Sequence, residues 1–321
     1  MTAGLAPPKR VLAVVDADAA SVVLKSAMAL SDKHGAAMDV IACIEPPHDL
    51  AVMARLSGEE AETLLADAAR RLSGELREKL AALVPARQIE PTVVVGKAYY
   101  EIIRYVAETG CDFVVKMAEP LSGVRQFLFS STDQHLLRKC PCPVWLQTPD
   151  AADLPRRVLA AIDLETWDAA EPGTLTALNR RVIDAARSLA SGPDAEVVVL
   201  HAWEAIGEGM VWAFSGKGDA RFTAERYVNE VLAMRQSAMT AFLADVQAEG
   251  PRLVPLLSEG VPAAVIEEQG RKLGADVVVM GTIARTGLSG VLIGNTAENI
   301  INSLECPVLA VKPEGFVSPL L

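Results

Sequence analysis

The sequence predicts two tandem modules, each an open, mostly parallel α/β sheet of five strands, packed together as a pseudo-dimer. Three observations carry this. Short apolar runs alternate with amphipathic helical patterns along the whole chain. Gly96, Asp112, Ser131, Gln134, Cys142 and Pro143 recur 164 residues later as Gly260, Asp276, Asn295, Glu298, Cys306 and Pro307. At the front of each copy, RVLAVVD (Arg10 to Asp16) matches RVLAAID (Arg157 to Asp163) at offset 147, so the second copy is longer by 164 less 147, or 17, residues. Self-similarity at domain length, rather than at the roughly 20–50 residues of a solenoid, marks two fused globular modules. Their expected bounds are 1–149 and 156–321, and the linker is 150–155, inside the polar, proline-bearing stretch TPDAADLP.

In the first copy Val11 to Asp16 reads as a buried strand. The helical pattern from Ala19 to His34 stops at Gly35, a residue suited to the left-handed conformation past a helix end. Met38 to Ile44 is the second strand. Glu59 to Val84 is a long helix, because Leu65, Leu72, Leu76, Leu80 and Leu83 recur at helical spacing opposite a charged face. Thr92 to Val95, Tyr99 to Thr109 and Asp112 to Lys116 follow as strand, helix and strand, with Ser131 to Lys139 and Val144 to Gln147 as the last helix and strand. The second copy repeats the order with Val158 to Asp163, Leu178 to Ala190, Glu196 to Ala202, Phe222 to Glu249, Leu253 to Leu257, Ala263 to Leu273, Asp276 to Gly281, Thr296 to Leu304 and Val308 to Val311. Continuous apolar strands between amphipathic helices require a parallel sheet covered on both faces, with right-handed crossovers.

Composition limits the function. At 321 residues, 51% hydrophobic and 22% charged, the chain has enough apolar content for two cores. A formal charge of -11 works against nucleic acid and anionic membrane surfaces, so neither is expected as a partner. No apolar run reaches the roughly 20 residues that span a bilayer, and MTAGLAPPKR has no signal-peptide core, so a cytoplasmic location is expected. Five cysteines imply no disulfide framework. Cys140 and Cys142 raise a metal or redox pair, but without further ligand spacing they read as packing at a strand start, and no metal site is expected.

Residues 275–311, ADVVVMGTIARTGLSGVLIGNTAENIINSLECPVLAV, order a strand, a glycine-spaced loop, a helix and a strand. In an open parallel sheet, ligands bind beyond the carboxyl ends of strands near the reversal of strand order. There Gly281 lets the chain turn off its strand, Gly294 admits close approach of backbone amides, and Asn295 opens a helix whose free N–H groups favour an anion. Asn295-Thr-Ala-Glu298 and Ser131-Thr-Asp-Gln134 also read as capping boxes, which does not exclude phosphate. In the first copy Met117, Pro120 and Ser130 stand at the three glycine positions, so that half reads as structural, although Asp16 matches Asp163.

MGTIARTGLSGVLIGNTAENI followed by ECPVLAVK resembles the nucleotide-loop region of the universal stress protein family. HLLRKCPCPVW and GNTAENI look most like its tandem, E-type members. The resemblance covers both copies. It implies cytoplasmic stress-response factors whose five-stranded Rossmann-type modules, of the adenine-nucleotide alpha-hydrolase-like kind, pair through their last strands. The family's nucleotide-binding branch carries glycine, two residues, glycine, nine residues, glycine, then serine or threonine. Gly281 and Gly294 match the first and third glycines, Ala284 replaces the second, and Asn295, followed by Thr296, replaces the hydroxyl residue. A methyl group at Ala284 disfavours a positive φ or crowds phosphates, while asparagine can still cap and donate. The resemblance also places Asp163 near a nucleotide sugar, Ala202 near the base through its backbone, and Gly260 and Pro262 beside the pocket. The other reading of Asp163 is an acid capping the strand end and first helix.

Trp203, Met210, Val211, Trp212, Phe214 and Phe222 cluster among glycines between the second strand and the long helix of the second copy. Such a segment can pack against the other module or a second chain, close as a lid, or form an apolar pocket. His34, His48, His135 and His201 have no nucleophile or metal partner by spacing, and no P-loop lysine is present, so no catalytic residue is expected. Two functions remain. One is a stress-response protein that binds a partner protein or small-molecule ligand; the other is a switch binding ATP, with magnesium, in the second module. The pseudo-dimer is expected to join Val144 to Gln147 with Val308 to Val311, and a homodimer of chains is left open.

Overall fold

The computed structural model describes residues 4–16, 20–83, 85, 87–119, 130–165, 172–207, 209, 220–246, 250–282 and 306–321. Each expected strand within these residues is present. The apolar runs form β1 (Arg10–Val14), β2 (Ala37–Ile44), β3 (Thr92–Val95), β4 (Phe113–Met117) and β5 (Val144–Gln147) in the first half. In the second they form β6 (Arg157–Ala161), β7 (Glu196–Trp203), β8 (Arg252–Glu259), β9 (Val277–Gly281) and β10 (Val308–Val311). Together they make one ten-stranded sheet in the order β3-β2-β1-β4-β5-β10-β9-β6-β7-β8. Every neighbouring pair is parallel except β5 and β10, which run antiparallel with Leu146 opposite Val308, Trp145 opposite Leu309 and Val144 opposite Ala310. The last strands of the two copies thus pair with each other, and neither is left as an open edge.

Helices cover both faces. On one side lie α1 (Ala20–His34), α3 (Ala61–Leu83), α6 (Pro172–Leu189) and α7 (Ala220–Asp245), packed on Val11, Ala13, Phe113, Trp145, Val277, Val279 and Leu309. On the other lie α4 (Ala98–Thr109), α5 (Ser131–Lys139) and α8 (Pro262–Leu273), packed on Leu12, Val114, Leu146, Val278 and Val308. Alternate residues of a strand serve opposite faces, so each apolar strand feeds two cores. Both cores run through the β5–β10 seam, where Trp145 is buried.

Two charged side chains lock this seam. Lys33, at the end of α1, donates to the carbonyls of Arg187, Ser188 and Ala190 at the end of α6. Lys312, just past β10, donates to the carbonyls of Leu137 and Arg138 in the last turn of α5. Each half therefore supplies the cation that satisfies orphan carbonyls at a helix C-terminus of the other.

Local readings need three corrections. A further helix, α2 (Leu50–Ser57), precedes α3 and ends at Gly58 with φ 74°; its side chains are not buried, so apolar periodicity did not mark it. The N-cap of α5 is Ser130, whose hydroxyl accepts from Asp133 N at 3.2 Å, and not Ser131, which starts the helix. Gly281 does not take a positive φ. It remains in β9, and its value is close approach: a Cβ there would sit 2.6 Å from Leu178 Cδ2. The second capping box, the helix expected over Thr296 to Leu304, and Ala284, Gly294, Asn295 and Thr296 lie outside the described residues.

Candidate functional site

In each half the chain lays strands outward from a central one and then crosses to its other side, so strand order reverses between β1 and β4 and again between β6 and β9. The order β9-β6-β7-β8 sets Gly281, Asp163, Ala202 and Gly260 at or just beyond successive carboxyl ends. Gly260 has φ 132°, donates its N–H to the Trp203 carbonyl at 2.9 Å, and leads into Pro262 in the first turn of α8. Proline suits that place because the first helical N–H needs no partner. Ala202 is buried in β7 beside Ser258 of β8. The topology thus gathers five of the nine expected site residues along one sheet end.

Asp163 has a local job. Its amide donates to Asn179 Oδ1 at 3.1 Å, its carbonyl accepts from Asn179 Nδ2 at 2.6 Å, and its Oδ1 accepts from the Glu165 amide at 2.9 Å. The carboxylate caps the turn that follows β6. Beyond it Glu165 meets Arg235 of α7 at 3.1 Å, with both side chains almost fully buried. His201 of β7 is 1% exposed. Its Nδ1 lies 3.4 Å from the Leu164 amide and 3.3 Å from the Ile162 carbonyl, and its Nε2 has no hydrogen-bond partner among the described residues. Burial lowers its pKa, against the upward pull of Asp163, so the ring is held neutral. A buried neutral imidazole with one unengaged nitrogen can donate to or accept from a polar ligand group. Sequence reasoning set His201 aside because its neighbours, Asp163, Glu165 and Arg235, are distant in the chain.

The first half fills the equivalent place with its own charges. Lys116, at the end of β4, has its ammonium 2.5 Å from Glu119 Oε1, 2.9 Å from Asp133 Oδ1 and 2.9 Å from the Met117 carbonyl. Asp133, in the first turn of α5, also accepts from the Glu119 amide through Oδ2 at 2.8 Å. The Lys116 and Asp133 side chains are 7% and 0% exposed. Burial pushes the Lys116 pKa down, but Asp133 and Glu119 outweigh it and hold the lysine above its ordinary value. Burial acts upward on Glu119 and is overcome by Lys116, whereas for Asp133, the most enclosed of the three, burial wins and the carboxyl is raised. We take Lys116 and Asp133 as an ion pair on their 2.9 Å separation. A carboxylate therefore lies at the helix N-terminus, where the glycine-loop geometry would receive an anion. At the 164-residue offset Lys116, Glu119 and Asp133 become Met280, Ile283 and Ala297, so the second copy has none of these charges.

Among the described residues no group of three His, Cys, Asp or Glu side chains is placed to hold a metal, and no helix is long and apolar enough to cross a membrane. His34 reaches the Ser188 carbonyl through Nε2 at 2.8 Å, and His135 lies against Tyr99 with ring centroids 4.2 Å apart. Both serve packing and the seam. Of the aromatic segment, Trp203 is buried in β7, while Met210, Val211, Trp212 and Phe214 lie outside the described residues.

The family model described as "Universal stress protein family" matches residues 8–147 and again 156–312. Among curated proteins, "Universal stress protein E" of Salmonella typhi is 30% identical over 226 residues, 70% of this chain and 68% of that protein. The protein of the same name from Photorhabdus laumondii is 26% identical over 267 residues, 83% and 82% of the two chains. Among solved structures, a functionally unknown protein from Pseudomonas aeruginosa PAO1 superposes with TM-score 0.67 at 24% identity, covering 96% of this chain and 93% of that one. A universal stress protein from Archaeoglobus fulgidus gives TM-score 0.53 at 19% identity, over 94% and 98%.

Proposed function

Because this chain belongs to the universal stress protein family, we propose that it is a stress-response regulator that acts by binding a small metabolite or partner through its second module, without catalytic machinery. The observation that carries the reading is the contrast between the two strand-order reversals. In the first, Lys116, Asp133 and Glu119 occupy the anion position from within. In the second, those positions are Met280, Ala297 and Ile283, and His201 keeps a buried nitrogen without a partner among the described residues. A site closed by internal charges serves structure, while one lacking them leaves room for a ligand. We place the protein in the cytoplasm, since its five cysteines are free thiols and a reducing compartment keeps them so.

The second reading is an adenine nucleotide, with magnesium, in the same module. It is favoured by the place of Gly281 at the carboxyl end of β9, beside the strand-order reversal, and by Gly260 and Pro262 at the same sheet end. In that case Gly281, Ala284, Gly294, Asn295 and Thr296 would face the phosphates, and Asp163 and Ala202 the sugar and base.

Refolded, ligand-stripped protein is titrated calorimetrically with ATP and magnesium and screened by thermal shift against a metabolite panel. Two variants run beside it: Gly294→Val, and Met280→Lys with Ala297→Asp, which transplants the first module's closing charges. A ligand bound once per chain and lost in both variants supports the proposal, and its identity decides between the readings. A ligand that binds the transplanted variant unchanged, or no ligand and no captured partner for the wild type, overturns it.

A further inference from the structure

Cys140 and Cys142 flank a single proline between the end of α5 and the start of β5, and their sulfurs lie 3.6 Å apart. Residues two apart have α-carbons at most about 7 Å apart, the outer limit of what a disulfide bridges without backbone movement. Both thiols are buried: Cys140 is 0% exposed and Cys142 8%, so peroxide reaches Cys140 only from the Cys142 side. Continuing the antiparallel register of β5 and β10 by two residues sets Lys312 opposite Cys142. The Lys312 ammonium, held by the Leu137 and Arg138 carbonyls and 2.7 Å from Thr282 Oγ1, acts electrostatically on Cys140.

We propose that Cys140 and Cys142 form a redox-active dithiol at the seam between the halves, oxidised by a peroxide to an intramolecular disulfide. The two thiols are asymmetric. The hydrogen bond from Cys142, and Lys312 nearby, lower the Cys140 pKa, while the same bond and burial raise that of Cys142 well above the ordinary thiol value. Cys140 is the nucleophile and Cys142 the resolving thiol. The Cys140 thiolate attacks one peroxide oxygen, the O–O bond breaks, and hydroxide leaves to take up a proton, giving a sulfenic acid. The Cys142 sulfur then attacks that sulfur, the S–O bond breaks, and water leaves with the Cys142 proton. One hydrogen peroxide is reduced to two waters as two thiols become one disulfide. Elsewhere burial pushes Cys43 up to about 12 and Cys111 up to about 11, which keeps both as unreactive thiols.

The position gives this chemistry a readout. Lys312 joins the α5 carbonyls beside the dithiol to Thr282, which follows Gly281 at the head of the second-module loop. Closing the disulfide replaces the Cys140 thiol that acts electrostatically on this lysine, so the seam and the loop root feel the redox state.

Folded protein is treated with hydrogen peroxide, quenched with catalase, denatured, alkylated with N-ethylmaleimide and mapped by peptide mass spectrometry. The expected result is a peptide containing residues 140–142 that has lost two hydrogens, escapes alkylation and recovers with dithiothreitol, while Cys43 and Cys111 stay alkylated. In Cys142→Ser, Cys140 proceeds to sulfinic acid instead. Below about pH 7, where Lys312 carries its proton, Lys312→Met slows closure about tenfold, the change in thiolate fraction expected from a one-unit rise in the Cys140 pKa, and Lys312→Arg keeps the rate. Should Lys312→Met not fold, the pH profile of the wild-type rate replaces it, with a midpoint below that of a free thiol expected. Full alkylation of both cysteines after peroxide, sulfinic acid on wild-type Cys140, or a bond from Cys142 to Cys111 would each overturn the proposal.

Discussion

Lys116 and Asp133 can be exchanged for the residues the second copy carries at the same places, which turns the internal repeat into a test of what the buried pair is worth. Lys116→Met alone leaves Asp133, fully enclosed, facing no cation; Asp133→Ala alone leaves a buried ammonium with only Glu119 and one carbonyl. Removing one partner of a buried pair costs about 3–5 kcal/mol, so independent effects would add to roughly 6–10 kcal/mol. The double variant removes both charges. Methionine keeps most of the lysine volume, and Glu119, about half exposed, rehydrates. What remains is the small cavity at Asp133 and the lost acceptor for the Glu119 amide, together about 2–3 kcal/mol. The double variant is therefore expected to be more stable than either single one. Urea unfolding followed by tryptophan emission, to which Trp145 in the same half and Trp203 in the other both contribute, gives all four corners of the cycle. A Lys116→Met variant within about 0.5 kcal/mol of wild type, or a double variant as unstable as the two singles added, would refute the reasoning.

Stability should also rise with pH between about 7 and 8.5. Burial lowers Lys312 from its ordinary 10.5 to about 7 and Lys33 to about 8. The unfolded chain then binds more protons than the folded one across this window, so raising pH favours folding; urea midpoints should climb, and Lys312→Met should flatten the slope. Ser130→Ala should cost about 1 kcal/mol through the lost cap of α5, with Ser131→Ala within about 0.5 kcal/mol, as read by thermal unfolding. Gly281→Ala forces a methyl group against Leu178 and should cost about 1–3 kcal/mol. Pairing it with Leu178→Ala should cost less than the two separate losses added, which a thermal-shift cycle checks.

The sheet was legible because its signal is local and repeated. An apolar run such as Val144–Gln147 must be buried on both faces whatever surrounds it, and the internal repeat, at offset 147 for the first strand and 164 for the later ones, gave such runs a second witness. The pairing of β5 with β10 followed from the same economy, since each would otherwise be an open edge. Helix α2 escaped because its apolar residues Val52, Met53 and Leu56 stay exposed, leaving periodicity nothing to report. The candidate site was legible only as far as backbone need reaches: Gly260 and Pro262 announce a turn and a helix start, but Arg235 and Glu165 become partners only when the topology brings α7 against the turn that follows β6. The buried pair of the first half was within reach of the sequence. Lys116 and Asp133 are opposite charges 17 residues apart, and at the 164-residue offset both are replaced by apolar residues, Met280 and Ala297. A surface charge can change alone at little cost, whereas a buried one is stable only while its partner stays. Two opposite charges lost together between copies of one fold are therefore evidence of a buried contact. That difference between the copies, more than the loop glycines found only in the second, is the ground on which the ligand is proposed for the second half.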